Sequence, residues 1–221
     1  MSIRQENINK VTLTGHVIYR EVEYEIKDKD GNVIESFYRV ILNIKRLSDT
    51  KDNLPVIIST RHNDKVYEVG KIISVDGFIK TRNYTGDDGK NHTMVFVYAE
   101  KVTPEEDLED IEDFNSVSLK GTICKLSKMR TTTSGRKVTD MILAIHRDKS
   151  KIKNKSDYIP CIVWGKDAIE AEKMPIGIVI SAEGRIQSRY YMKNDEEHVA
   201  YEVSIKNLTE ENVEDCTEES A

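Results

Sequence analysis

At 221 residues, with 38% apolar and 33% charged residues, the chain has room for two modules of about 100 residues, each with a small core of its own. It contains no run of about 18 apolar residues, which excludes a membrane-crossing helix. The net charge of −6 does not exclude a polyanionic ligand: residues 104–114 hold seven acids and 209–221 hold six, with no base in either, and without those thirteen the other 26 acids face 33 Lys and Arg, about +7.

In chain order the elements read as strands. Val11, Leu13, Gly15 and Val17 alternate with polar residues, as in a half-buried strand. Asp30-Gly31-Asn32 is a turn signal between the polar-alternating segment 21–27 and the run 33–45. A third strand is expected over 54–60, a fourth over 71–82, a hairpin tip at Gly86-Asp87-Asp88-Gly89, and a fifth strand over 93–102. The second half repeats that order over 115–128, 136–147, 159–164, 178–190 and 199–208, with tips at Ser134-Gly135 and Asn194-Asp195. Between its third and fourth strands, Lys166–Lys173 consists of good helix formers ended by Pro175 and Gly177, which predicts a short helix. A shorter counterpart is expected near 63–69.

The two halves also match residue by residue. Asn9-Lys10-Val11-Thr12-Leu13-Thr14-Gly15 repeats as Asn115-Ser116-Val117-Ser118-Leu119-Lys120-Gly121. Leu54–Ile58 repeats as Ile159–Val163, Val69–Gly77 as Ile176–Gly184, and Arg82 and Tyr84 fall on Arg189 and Tyr191. Offsets that stay between 105 and 107 point to a duplication. Five strands with one helix between the third and fourth is the layout of the OB-fold. The expected fold class is therefore all-β: two tandem OB-folds, five-stranded barrels, each with a short helix between strands three and four. The expected division is 1–103, an acidic linker 104–114, 115–208, and an acidic tail 209–221.

Little in the sequence points to catalysis. Cys124, Cys161 and Cys216 stand far apart with no C-x-x-C pair, so neither a zinc site nor a disulfide framework is expected. No carboxylate cluster, His-x-x-x-His, phosphate-binding Gly-rich loop or Ser/His/Asp grouping stands out, so no enzyme, cofactor or metal is expected. The opening Met1-Ser2-Ile3-Arg4-Gln5-Glu6-Asn7 has no apolar signal-like core, and a cytoplasmic location is the expectation.

The stretch Asp157-Tyr158-Ile159-Pro160-Cys161-Ile162-Val163-Trp164-Gly165-Lys166, followed by Gly177 and by Glu183-Gly184-Arg185-Ile186-Gln187-Ser188-Arg189-Tyr190-Tyr191, resembles the bacterial single-stranded DNA-binding protein family. The opening Asn-x-Val-x-Leu-x-Gly of both halves resembles that family's first strand. The resemblance covers most of 115–208 and is weaker over 8–103, where the internal repeat carries it across. It implies sequence-nonspecific binding of single-stranded DNA in replication, recombination or repair, by base stacking on aromatics and phosphate contact from Lys and Arg. The implied stacking residues are Tyr158, Trp164 and Tyr191, with His146 near the end of strand two and Tyr84 as the ring retained in the first half. Thr60 is expected at the position of Trp164, and Asn53 near that of Tyr158. Arg46, Arg82, Arg147, Lys149, Lys166, Arg185 and Arg189 are the expected basic lining, extended by Lys151, Lys153 and Lys155. The resemblance further implies a homodimer presenting four barrels and recruitment of replication or repair proteins, although the acidic end here lacks the family's hydrophobic Pro-Phe tip. An RNA-binding or primosome-type module, or an interaction scaffold with weak or no DNA binding, remains the alternative on the same fold.

Overall fold

The computed structural model describes residues 7–48, 50–86, 89–105, 111–147, 155–193 and 195–211. Strands β1 (Ile8–Lys27), β2 (Val33–Lys45), β3 (Lys51–Ser59), β4 (Ile72–Thr85) and β5 (Asn91–Pro104) make up the first barrel. It closes because β1 pairs with both β2 and β4, β2 with β3, β4 with β5, and β3 runs parallel to β5 through Val56↔Val97 and Ile57↔Tyr98. The alternation places Val11, Leu13 and Val17 inside, almost fully buried, with the polar residues between them outside. Register shifts at Val17/Tyr19, Val22/Tyr24 and Ile26/Lys27 let the 20-residue β1 bend from one neighbour to the next.

The second barrel consists of β6 (Phe114–Leu126), β8 (Lys137–His146), β9 (Ser156–Trp164), β10 (Val179–Lys193) and β11 (Glu196–Glu210), closed by the parallel β9–β11 pair. A two-residue strand β7 (Arg130–Thr131), which sequence reasoning missed, pairs with the start of β8 at the hairpin. Helix α1 spans Gly165–Ala171 and seals one barrel end with Ala168 and Ala171, both fully buried. The first barrel has a single 3-10 turn in that place, Asp64–Tyr67, where the Tyr67 ring supplies the plug. Few residues separate it from Gly70, whose φ of +90° turns the chain into β4.

The repeated glycines have a steric cause. Gly77 and Gly184 sit at matching register shifts in β4 and β10. A methyl group there would lie 2.1 Å from the carbonyl oxygen of Tyr98 and of Ser204 respectively. The repeated asparagines also act alike. The Asn9 side chain exchanges two hydrogen bonds with the Ile79 backbone (2.8 and 2.9 Å), and Asn115 does so with Ile186 (2.8 and 3.1 Å).

The barrels join across an antiparallel β1–β6 pairing from Ile8↔Lys120 to Thr14↔Phe114. Val11 lies opposite Val117, its own counterpart in the repeat, so an approximate two-fold axis passes through that pair. Two matching side-chain clamps flank it. Asp52, 1% exposed, accepts from Arg46 Nε and a terminal guanidinium nitrogen at 2.7 and 2.6 Å and from the Ser188 backbone N–H at 2.8 Å. Asp157, 2% exposed, accepts from Arg147 at 2.6 and 2.5 Å and from the Thr81 backbone N–H at 2.7 Å. Each arginine also donates to the carbonyl of the same residue in the opposite barrel, at 3.1 and 3.2 Å.

Replacing Gly184 with Ala should lower unfolding free energy by about 2–3 kcal/mol in equilibrium denaturation, and Gly77→Ala should match it. A loss below about 0.5 kcal/mol, the size of an ordinary surface change, would contradict the steric reading. Arg147→Met strands a buried carboxylate and should cost about 3–5 kcal/mol by the same measurement. Pairing it with Asp157→Leu should restore part of that loss, and a double variant no better than the single one would count against the clamp.

Candidate nucleic-acid interface

The second barrel presents a continuous outward side across β8–β9–β11–β10. In β9, Ile159, Cys161 and Val163 point inward and are buried, so Tyr158 and Trp164 stand on the outer side, with Tyr158 53% exposed. Pairing puts Ala144 beside Tyr158 and His146 beside Ser156, which brings the half-buried His146 to the same side. Across the parallel pair Ile162 lies beside Ser204, and the Trp164 indole N–H donates to the Ser204 hydroxyl at 3.0 Å. Ser204 is in turn opposite Arg185, Glu202 opposite Gln187, Ala200 opposite Arg189 and His198 opposite Tyr191. One sheet surface thus carries His146, Tyr158, Trp164, Arg185, Arg189 and Tyr191.

Two features of this surface escaped sequence reasoning. A groove of about 730 Å³ runs beside Trp164, lined by Phe114, Arg185, Lys206 and Asn207 and reached by Leu47 from the first barrel. The Arg136 guanidinium lies 5.2 Å over the Trp164 ring. Within the groove Arg185 is half-buried, and its one side-chain hydrogen bond among the described residues is to the Gln187 side-chain oxygen, at 3.5 Å. Burial first, and the neighbouring Arg46 charge second, pull Arg185 below the usual guanidinium range. Such a cation favours an incoming anion. Lys166 is exposed in the first turn of α1, next to Trp164 in the chain.

At the β10–β11 hairpin the Tyr191 ring stacks on His198, with centroids 5.6 Å apart and planes 26° from parallel. Arg189 lies 5.6 Å over the same Tyr191 ring and is held there by the buried Glu202 at 3.2 and 3.3 Å. Glu202 also accepts from Gln187 at 3.0 Å. The β4–β5 hairpin repeats the stack with Tyr84 and His92, 5.5 Å apart at 28°. There Arg82 is held by Glu23, at 2.8 Å, from β1.

Other residues expected in the basic lining lie elsewhere. The guanidinium groups of Arg46 and Arg147 are committed to the clamps between the barrels rather than standing open in loops. Lys149, Lys151 and Lys153 lie outside the described residues, and Lys155 is exposed just before β9. In the first barrel Asn53 does occupy the position of Tyr158, since Asn43↔Asn53 matches Ala144↔Tyr158. The counterpart of Trp164 is Ser59 and not Thr60, because Phe37↔Ser59 matches Val138↔Trp164. Thr60 lies one residue further on, where β3 has already ended. Among the described residues no group of three or more His, Cys, Asp or Glu could hold a metal ion.

Comparison with known proteins places these features. Residues 114–210 match the single-strand binding protein family. The chain is 42% identical over 84 residues to a single-stranded DNA-binding protein of Clostridium tetani, a match covering 37% of this chain and 58% of that protein. It is 34% identical over 86 residues to single-stranded DNA-binding protein B of Bacillus subtilis, covering 38% of this chain and 75% of that protein. The chain spans 55–58% of the length of the first curated relatives it matches. The fold as a whole is similar to the crystal structure of wild-type single-stranded DNA binding protein from Thermus aquaticus, with a TM-score of 0.73 at 18% identity over 94% of this chain and 95% of that one. The retained strand motifs and the two closed barrels agree with these matches, and the chain belongs to the single-strand binding protein family.

Proposed function

We propose that the chain holds single-stranded DNA without reading its sequence and protects it during replication, recombination or repair, doing no chemistry of its own. The observation that carries this reading is the outward surface of β8–β9–β11–β10, on which Tyr158, Trp164 and Tyr191 share one sheet with Arg185 and Arg189. Every base has a π-face, so stacking contributes about 1–3 kcal/mol per base whatever the sequence. Arg185, Lys166 and Arg136 are the cations we assign to phosphates along this surface, with Arg189 oriented over Tyr191 for stacking. The relatives named above are single-stranded DNA-binding proteins by name, which supports the same ligand here.

The binding units in this reading are residues 1–103 and 115–208, with the acid-rich stretches 104–114 and 209–221 as connector and tail. The second unit binds more strongly, because the first has Asn53 and Ser59 where the second has Tyr158 and Trp164. Two chains would bring four barrels to one DNA path, in the cytoplasm where the nucleoid lies.

Anisotropy titration of a labelled oligo-dT at several salt concentrations tests this. Affinity should fall with salt with a log–log slope of about −0.7 per phosphate neutralised. Arg185→Gln should flatten the slope by roughly one such increment. Trp164→Ala and Tyr158→Ala should each weaken binding by about 1–3 kcal/mol. Absence of binding at low salt, or binding indifferent to salt, would sink the reading.

A further inference from the structure

We propose that the first barrel carries a base-stacking platform of its own, built from Tyr24, Phe37, Tyr98 and Phe78 with Lys80 as its phosphate contact, at positions where the second barrel has no rings. The inference rests on the single-strand-binding reading above and names where the first barrel would engage the strand.

The rings surround the place left by the missing tryptophan. Ser59 occupies that place, and Phe37 lies opposite it on β2. Tyr98 lies beside Ile57 on β5, and Phe78 lies opposite Tyr98 on β4. By the repeat, the same three positions in the second barrel are Val138, Ser204 and Arg185. Aromatic area has thus moved from β3 to the strands on either side. Tyr24 adds a fourth ring, stacked on Phe37 at 4.3 Å and 12°. The row continues from Phe37 to Tyr98 at 6.3 Å and from Tyr98 to Phe78 at 5.4 Å.

The cluster is not core. Only Phe37, 4% exposed, is buried, and it forms the floor. Tyr24 is 41% exposed, and Tyr98 and Phe78 are half-buried at the surface. Flat rings offered to solvent in a row suit unpaired bases.

The charge pattern agrees. Nearby arginines are ion-paired within the barrel: Arg39 with Glu21 and Glu23, Arg82 with Glu23, and Arg61 with Glu35 at 2.9 Å. Lys80 differs. Its ammonium lies 4.2 Å over Tyr98 and 5.2 Å over Phe78, and it has no carboxylate within ion-pair distance among the described residues. Burial, and then the Arg147 charge, pull it below the usual lysine range, against the Asp157 carboxylate, which raises it. A partly desolvated cation on an aromatic row, without an ion-pair partner of its own among the described residues, gains from a phosphate brought in by a stacked nucleotide.

The test uses the full chain with Tyr158, Trp164 and Tyr191 all changed to Ala, titrated with oligo-dT beside the wild type. Failure of the wild type to bind would refute the function itself. If the wild type binds, the triple variant should keep weaker, salt-sensitive binding. Adding Tyr24→Leu or Tyr98→Leu should then weaken it about 10-fold each, and Lys80→Gln should flatten its salt slope by about 0.7. Residual binding that ignores all three changes, or a triple variant with no binding at all, overturns the inference. Photocrosslinking of 5-bromouracil oligomers to the unmodified protein gives a readout that does not depend on variant folding. Adducts at Tyr24 or Tyr98 are expected, and adducts confined to residues 114–211 overturn the proposal.

Discussion

A carboxylate taken out of water costs several kcal/mol unless its charge and its lone pairs are met. Asp52 and Asp157 are almost fully buried, and each is met by a two-nitrogen arginine contact and by a backbone N–H. Those N–H groups belong to Ser188 and Thr81, in the opposite barrel. Geometry this demanding fixes the backbone of β10 and β4 relative to the neighbouring barrel. Those two strands also carry Arg185, Arg189 and Tyr191 on one side of the axis and Phe78, Lys80 and Tyr84 on the other. Positioning of the outward surfaces therefore depends on the clamps, in which the guanidinium groups of Arg46 and Arg147 are engaged.

The duplication preserved this framework more strictly than the surface it supports. The asparagine brackets, the close-approach glycines, the clamps and the hairpin Tyr–His stacks all occur twice. Each is constrained by backbone geometry or by a buried charge, where substitution is expensive. On the outer side a ring needs only to be flat, exposed and near a cation. Exposed rings are supplied from β9 and β10 in the second barrel and from β1, β4 and β5 in the first, the last set resting on buried Phe37 of β2.

What was legible in the sequence follows the same division. Strand order, both barrels and the helix could be read because period-2 alternation and repeated glycines are local signals. Tyr158, Trp164 and Tyr191 could be placed because the motif around them is contiguous. The clamps could not, since Asp52 and Ser188 are 136 residues apart and an arginine in a basic loop looks like a phosphate ligand. The Tyr24–Phe37 stack was hidden because the register shifts at Val17/Tyr19 and Val22/Tyr24 are what bring Tyr24 opposite Phe37; the unshifted register that starts at His16↔Asn43 would set it against Glu35. Glu202 also escaped notice: a carboxylate in a strand reads as solvated surface until Gln187 and Arg189 are seen to close over it.

The chain has one tryptophan, Trp164, and it lies in the groove assigned to the strand, so its own emission reports on that surface without a label. Titration with dT oligomers of increasing length should quench Trp164 fluorescence saturably, with tighter binding as the oligomer grows long enough to cross the sheet, and added salt should reverse the quench. Oligomers that bind while leaving the emission unchanged would place the strand elsewhere on the molecule and contradict the account.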